Sequence, residues 1–307
     1  MLNKHKIGLL LILTAAAATW VFALSKIPLP WTNWTFALLE PKGIIAQKEY
    51  KLMLNAVLLM LVAVIPAYLL VFYFVKKNIT KNSEPGKTLD NHNRKLTFLI
   101  WAIPCAVIFT IAGIIWVSTH ELDPYKPLES NVKPLTIEVV ALRWKWLFIY
   151  PKQNIASVNF IQIPKDTPVV FKLTADGPMN TFWIPQLSGQ IYTMAAMETK
   201  LHILATETGE FVGRTSEING DGFSGMNFIT KVSDEQEFNN WVGQQKTQNR
   251  ILDQTAYSLL LEPSENNPPE FFGSIDPNLY QSIIMKYMAP QSIMHENETA
   301  PKMDMAH

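Results

Sequence analysis

The chain has 307 residues, and its 26 lysines and arginines balance 26 aspartates and glutamates, so its formal net charge is zero. This balance excludes a typical nucleic-acid binder, because such proteins carry a basic excess that displaces phosphate counterions. Charged residues make up only 17% of the chain and hydrophobic residues 48%, which is lean in charge for a soluble domain. Residues 1–118 hold 12 basic and 4 acidic side chains, whereas residues 119–307 hold 14 and 22. The two parts are therefore expected to lie in different environments.

The first apolar run, Ile7–Leu24, follows a short basic head that contains Lys4 and Lys6. This pattern is typical of a secretory signal sequence or of a signal anchor. Small side chains at Val21 and Ala23 allow cleavage after Ala23, although bulky residues between and beside them weaken the match. We assign residues 1–36 to this segment, and both removal and retention stay open.

Two longer apolar runs, at about 52–75 and 96–117, are predicted to form transmembrane helices within residues 37–118. At about 1.5 Å per residue, each run is long enough to cross a hydrocarbon core of about 30 Å. Pro66 and Pro104 lie inside the runs, where a membrane helix tolerates a kink. The alternative is a pair of buried helices in a large soluble core, which two runs of this length disfavour.

The segment 76–95 between the two runs is basic and is predicted to be a cytoplasmic loop. Only Glu84 and Asp90 oppose its six basic residues, and positive charge in short loops is retained on the cytoplasmic side. The basic head before Ile7 agrees with this orientation. Everything from Thr119 onward is then periplasmic, and the chain is expected in a bacterial inner membrane as a multi-pass protein.

Residues 119–232 are predicted to form a periplasmic β-sandwich. Short stretches alternate apolar and more polar residues, the period of half-buried strands, and prolines and glycines separate them. Examples are Ile137-Val139-Ala141, Val169-Phe171-Leu173 and Leu201-Ile203-Ala205. Strands of this length with turns at regular intervals indicate an antiparallel sandwich.

Residues 233–290 are predicted to form a helical arm. Ser233 followed by Gln236 reads as a capping box, and Asp276-Pro277 as the start of a second helix. The second helix has one apolar face, which is expected to dock on a partner or on the sandwich. Residues 291–307 are predicted to be a disordered tail; its methionines and histidines imply no fixed metal geometry.

No residue pattern in the periplasmic part indicates catalysis: phosphate-binding glycine loops, nucleophile elbows and paired catalytic carboxylates are all lacking. The single cysteine, Cys105, excludes an intrachain disulfide and a metal site built on a cysteine pair.

A set of short motifs nevertheless resembles subunit II of the haem-copper respiratory oxidases, and most closely the cytochrome bo-type branch that oxidises ubiquinol. The motifs are Leu38–Gly43, Thr136–Val140, Trp144–Trp146 followed by Phe148–Pro151, Gln190–Tyr192 and Gly222–Met226. The resemblance extends from about Leu38 to Met288. It implies a membrane α-helical hairpin followed by an all-β cupredoxin-like sandwich with short C-terminal helices.

Family members that accept electrons from cytochrome c hold a copper pair, the copper A centre, with two thiolates, two imidazoles, a thioether and a carbonyl. Those ligands suit a soft mixed-valence metal pair. In this chain the corresponding positions are Asn180, Thr215, Glu217, Asn219, Phe223 and Met226. Both thiolates and both imidazoles are replaced, so the resemblance implies a lost copper A site, with no catalytic, cofactor-binding or metal-binding residue in this chain.

The resemblance also implies the partners. Haems and copper are expected in subunit I, accompanied by the smaller membrane subunits III and IV and the lipid bilayer, with ubiquinol as the substrate of the complex. The chain is then a non-redox structural subunit of a proton-pumping quinol oxidase, without a nucleic-acid partner. The alternatives are subunit II of a cytochrome c oxidase, or a membrane-anchored cupredoxin-like assembly or adaptor protein. The quinol species and the haem types stay open.

Four residues allow a functional and a structural interpretation. Trp144 and Trp146 fit an electron-transfer surface, but packing at the membrane-facing border of the sandwich, or at a subunit interface, is favoured. Glu217 fits an ion ligand, but a solvated or salt-bridged carboxylate is favoured. Thr97 stands where relatives tend to place a carboxylate near a proton path, which leaves a role in proton uptake open.

Overall fold

The computed structural model describes residues 37–79, 94–128, 130 and 132–288. The first apolar run, most of the lysine-rich segment 76–95 and the tail 291–307 lie outside the described residues. The expectations for those three segments, including cleavage near Ala23, therefore stay predictions.

Two long helices follow a short 3-10 turn at Ala37–Leu39: α1 (Ile44–Ile79) and α2 (Arg94–Glu121). Both extend beyond the apolar runs, because helix-forming polar residues such as Gln47, Lys48 and Glu49 continue the first helix. By length and composition, Ile44–Tyr73 and Trp101–Glu121 are apolar enough to cross a membrane. Their most apolar stretches are not buried inside the protein, as expected of helices that face lipid or another subunit.

After the two helices, the chain forms a sandwich of a six-stranded and a five-stranded sheet. The six-stranded sheet has the order β12-β3-β2-β1-β5-β8, and the five-stranded sheet has the order β4-β10-β9-β6-β7. The strands are β1 (Leu135–Ala141), β2 (Trp146–Tyr150), β3 (Ile155–Val158), β4 (Phe160–Pro164), β5 (Val169–Ala175), β6 (Asn180–Trp183), β7 (Gln190–Thr193), β8 (Thr199–Ile203), β9 (Gly209–Arg214), β10 (Asn227–Ser233) and β12 (Glu270–Phe272).

The prediction of a purely antiparallel sandwich is wrong at two pairs. Strand β1 runs parallel to β5, and β10 runs parallel to β4. The chain crosses from the first sheet to the second at β4 and returns at β5, so β5 enters the first sheet from the same end as β1. Alternation of apolar and polar residues reports which face a strand buries and carries no information about strand direction.

An aromatic cluster fills the space between the sheets. Trp146 and Phe148 of β2, Phe182 of β6 and Phe228 of β10 are all essentially buried. The rings of Phe182 and Phe228 stack at a centroid distance of 5.1 Å, and Trp146 meets Phe182 edge-on at 5.4 Å. Large aromatic side chains contribute most of the buried area in such a core, and their contacts also orient the two sheets.

The arm consists of α3 (Glu235–Lys246), α4 (Gln254–Leu260) and α5 (Leu279–Met288), with strands β11 (Ile251–Leu252) and β13 (Ser274–Ile275) paired beside β12. The predicted capping box at Ser233 is wrong. Ser233 ends β10, where its hydroxyl accepts a hydrogen bond from Gln162 at 2.8 Å, and Asp234 is the N-cap of α3. A buried partner on another strand therefore outcompetes the local cap.

The apolar face of α5 packs on the outer surface of the six-stranded sheet. Leu279, Ile283 and Ile284 form one buried cluster with Leu147 and Ile149 of β2. The sequence left two docking surfaces open for this helix, a partner or the sandwich, and in the structure it docks on the sandwich.

Both helices attach to the same end of the sandwich. Gly43, just before α1, pairs with Ala205 after β8, and the Ile44 amide donates to the Leu204 carbonyl at 3.1 Å. Beyond α2, the Pro124 carbonyl lies 2.9 Å from Nδ1 of His202. This junction has no room for a side chain at Gly43, since a Cβ there would overlap the backbone carbonyl of Leu187.

We predict that Gly43→Ala destabilises the purified protein in detergent, because the methyl group meets backbone that cannot rotate away. The expected loss is about 1–3 kcal/mol, the usual cost of overpacking. Gly243→Ala in α3 is the matched control: a Cβ there has no neighbour within 4 Å, so it should be neutral or stabilise by about 0.5–1 kcal/mol. Thermal unfolding measures both, and equal midpoints would contradict the tight junction.

Candidate functional site

The six positions singled out from the sequence lie at the end of the sandwich opposite the helix junction. Strand β5 leaves the junction at Val169, next to Ile203, and ends at Ala175 beside the end of β1. Because β10 runs parallel to β4, its first residue, Asn227, also lies away from the junction. The connection between β9 and β10 therefore meets the start of β6 at this distal end.

Asn180, Asn219 and Met226 form one hydrogen-bonded cluster. Asn180 is fully buried, and its Nδ2 donates to the Pro178 carbonyl at 2.8 Å. The Nδ2 of Asn219 contacts Oδ1 of Asn180 and lies 3.2 Å from the Met226 sulfur. Three residues distant in sequence are thus brought together, as the resemblance implies for copper A positions.

Thr215 and Glu217 shape the loop around this cluster. The buried Thr215 hydroxyl accepts hydrogen bonds from the amides of Thr181 and Glu217, both at 3.3 Å. The Glu217 carboxylate is half-exposed and makes no ion pair within the described part of the chain. Phe223 participates through its backbone, since its carbonyl accepts from the Met226 amide at 3.2 Å in the 3-10 helix Asp221–Gly225.

The donor set of this cluster is neutral and hard: two amides and a hydroxyl beside one thioether. A copper pair needs bridging thiolates, and the chain's cysteine lies far away in α2. Among the described residues, His, Cys, Asp and Glu do not gather in groups of three or more that could hold a metal ion. The residues present therefore do not fit a copper A centre.

Trp146 and Trp144 occupy different environments. The packing of Trp146 at a sandwich border, predicted from its amphipathic ring, is wrong, since Trp146 is fully buried between Phe182 and Phe228. Trp144 is half-buried, has a φ of 62°, and packs on the β9–β10 connection. A Cβ at Gly220 would lie 3.2 Å from its ring, and a side chain at Gly222 would overlap it.

The arm segment Glu262–Pro269 covers this distal end, which the sequence did not indicate. The Lys145 ammonium donates to the Glu262 carbonyl at 3.0 Å, and Nδ2 of Asn159 donates to the Asn267 carbonyl at 3.0 Å. Glu265 and Asn266 sit close against Gly222 and Gly225, where a Cβ would contact them. Proline and asparagine signal a turn here, but nothing local identifies its partners.

A buried carboxylate fastens the arm to the sandwich. The Asp176 side chain, 2% exposed, accepts hydrogen bonds from Tyr257 of α4 at 2.7 Å and from Tyr287 of α5 at 2.6 Å. Lys286 adds an ion pair at 2.9 Å. Burial alone would raise the pKa of Asp176, but these three donors outweigh burial and hold the pKa below its ordinary value.

The Asp176 contact was missed from the sequence, since Asp-Gly-Pro after a strand indicates only a turn. Its partners lie 81 to 111 residues further along the chain. An aspartate at the end of an apolar strand and a Lys-Tyr pair on an otherwise apolar helix were the available signals.

Comparisons with known sequences place this chain in the class of oxidase subunit II. The family model COX Aromatic Rich Motif matches residues 246–291, a range that covers most of the arm but not helix α3. Cytochrome bo(3) ubiquinol oxidase subunit 2 of Pseudomonas aeruginosa is 46% identical over 81% of this chain and 76% of its own length. The Pseudomonas putida protein of that name is 43% identical over 89% and 87%, and ubiquinol oxidase subunit 2 of Acetobacter aceti is 42% identical over 81% and 82%. The chain belongs to the ubiquinol oxidase subunit 2 family.

Among solved structures, the chain is similar to the periplasmic domain of subunit II of cytochrome oxidase from Bradyrhizobium japonicum. The two are 21% identical over 39% of this chain and 96% of that one, with a TM-score of 0.36. At this score the family assignment comes from the sequence relatives.

We predict that Asp176→Asn destabilises the protein by about 2 kcal/mol at pH 7, because three donors lose a charged acceptor. The pKa of Asp176 is lowered on folding, so this contribution is complete above the ordinary aspartate pKa of about 4. It shrinks as the pH falls through the lower folded value.

Denaturant unfolding between pH 7 and pH 3 measures this difference. Asp234→Asn is the matched control, since Asp234 is exposed and its side chain makes no cap hydrogen bond. A difference between wild type and Asp176→Asn that does not change with pH would contradict the role of the ionised carboxylate.

Proposed function

We propose that the chain is the non-redox, structural subunit II of a proton-pumping terminal oxidase that couples ubiquinol oxidation to oxygen reduction in aerobic respiration. Its membership of the ubiquinol oxidase subunit 2 family makes it a subunit of a quinol oxidase, an oxidoreductase complex. The observation that carries the non-redox assignment is the Asn180–Asn219–Met226 cluster, which puts amides where a copper pair needs an imidazole and a thiolate.

The electron donor follows from this cluster. Without copper A, the distal end offers no acceptor for an electron from cytochrome c, so oxidation of quinol falls to another subunit. Haems, the oxygen-reducing copper and the quinol pocket then belong to subunit I, and subunits III and IV complete the assembly. This chain packs its helices on subunit I and covers the outer face of that subunit.

The location follows from charge and hydropathy. The basic segment 76–95 is cytoplasmic, the two helices cross the inner membrane, and the sandwich is periplasmic. Protease added to intact spheroplasts measures which side each part faces. We propose that residues 1–36 are a signal sequence or anchor and that residues 291–307 form a tail.

Two alternatives are less well supported. A cytochrome c oxidase subunit needs the missing thiolates, and the relatives at 42–46% identity are named as ubiquinol oxidase subunits. A free-standing adaptor would purify without haem. The first alternative differs from the proposal in the electron donor of the complex, and the second differs in what accompanies the native protein.

We predict that native protein, purified through a tag on this chain, brings down a haem-containing partner and reduces oxygen with ubiquinol. Reduced cytochrome c should support no uptake above background. Oxygen electrodes measure both rates on the same sample. Uptake driven by cytochrome c would favour the first alternative, and a haem-free preparation the second.

We also predict that the wild-type chain in detergent takes up no stoichiometric copper pair. A variant with Asn180→His, Thr215→Cys, Asn219→Cys and Phe223→His supplies two thiolates and two imidazoles beside Met226 on the same scaffold. It should bind two copper ions and show intense visible thiolate-to-copper absorption.

The matched control carries only Asn180→His and Phe223→His, and it should remain without this absorption because it lacks thiolates. Copper content and visible spectra are measured for the wild type, the four-change variant and the two-change control. Copper-pair binding by the wild type would remove the main support for the non-redox assignment. A folded four-change variant that takes up no copper would show that the scaffold is not preserved.

A further inference from the structure

A cavity of about 520 Å³ lies on the outer face of β9 and β10, beneath the arm segment that ends at Pro269. Its size is within the range of ligand sites in proteins. Its lining includes Asn159, Val212, Arg214, Asn227, Ile229 and Asn267. None of the six copper A positions lines the cavity.

The floor of the cavity is preformed around Asn159. This buried residue has a φ of 55°, and its Oδ1 accepts a hydrogen bond from the Trp146 amide at 2.8 Å. Its carbonyl accepts from the Ile229 amide at 3.0 Å, and its Nδ2 donates to the Asn267 carbonyl at 3.0 Å. One residue thus joins β2, β10 and the arm, so an occupant would meet walls that are already ordered.

Arg214 gives the cavity its charge. It is the one charged residue in the lining, and its guanidinium makes no hydrogen bond or ion pair with residues in the described ranges. Arg250 on the arm, by contrast, is paired with Glu270 at 2.8 Å. A guanidinium without a partner, in a lining without an acid, is complementary to a carboxylate.

One apolar pair, Val212 and Ile229, lies beside Arg214 on the same face. Val212 pairs with Ile229 two residues before the pair of Arg214 with Asn227, so all four side chains lie on one face of the sheet. Val212 is 48% exposed and Ile229 is 38% exposed. The surface therefore offers a cationic end and an aliphatic end, about 7 Å apart along the strand.

We propose that this cavity, which we call the Arg214 groove, holds an acidic segment of a neighbouring subunit. A carboxylate of that segment binds Arg214, and an aliphatic side chain two residues away packs on Val212 and Ile229. A protein segment fits better than a small metabolite, because a carboxylate and an aliphatic side chain two residues apart on an extended chain match the spacing of Arg214 and the Val212–Ile229 pair. The identification of the neighbour as an oxidase subunit rests on the proposed function.

The test places a photo-crosslinking residue, p-benzoylphenylalanine, at position 212 of the full chain in its native membrane. After irradiation, the tagged complex is purified, and crosslinked peptides are mapped by mass spectrometry. The expected product joins position 212 to a segment of another subunit that carries Asp or Glu beside an aliphatic residue. A product that lacks a carboxylate, or no protein product at all, overturns the proposal.

Arg214→Gln should lower the crosslink yield about tenfold, the change expected when a charge-assisted contact is lost. Arg250→Gln is the matched control and should leave the yield unchanged, since Arg250 already has an internal partner. Equal yields for Arg214→Gln and wild type overturn the proposal. Haem content of the same samples reports folding and assembly.

Charge reversal gives an independent check. Arg214→Glu should abolish the crosslink, and replacing the captured acid by lysine should restore it; failure of the rescue overturns the proposal. If the sample contains haem but shows no crosslink, the groove proposal is overturned and the proposed function is not. If an Arg214-dependent crosslink to an acidic segment forms but the sample lacks haem, the proposed function is overturned and the groove proposal is still supported.

Discussion

The organisation of the distal end depends on one buried ion, the carboxylate of Asp176. Ionised carboxylates are buried only when they are fully partnered, and here every side-chain partner comes from the arm. The arm is therefore held where its segment Glu262–Pro269 can cover Trp144 and close one wall of the Arg214 groove. Apolar packing of α5 supplies affinity for the sheet, and Asp176 supplies the register.

The amide cluster is held together by hydrogen bonds within the chain. Asn180 is fully buried, so a charged or unpaired replacement there would be costly. The buried Asn180 side chain has hydrogen-bond partners at both ends: its Nδ2 donates to the Pro178 carbonyl, and its Oδ1 accepts from Asn219. The Thr215 hydroxyl holds the loop in place, since it accepts hydrogen bonds from the amides of Thr181 and Glu217.

How much of this was predictable depends on the range of each signal. Hydropathy alone indicates α1 and α2, and alternation indicates β1, β5 and β8. The order of apolar and polar residues within each of these segments is enough to predict which side chains are buried. Strand direction, the burial of Trp146 and the N-cap at Asp234 depend on partners elsewhere. The copper A positions were found through a family resemblance. Asp176 and the Arg214 groove have no local signature, because their contacts join residues about 80 or more apart or arise from the arm.

The junction at Gly43 and Pro124 has a consequence for assembly. A domain on one flexible tether tumbles, and that motion must be frozen when it meets a neighbour. Here the sandwich is joined to the membrane hairpin at two points, the Gly43–Ala205 bridge and the His202–Pro124 contact. The Lys48–Glu121 ion pair also joins the two helices close to that level. These contacts restrict rotation of the sandwich relative to the helices in the unbound chain. Association with a partner then loses less rotational entropy. The docking faces of the helices and of the sandwich also keep a fixed relative orientation.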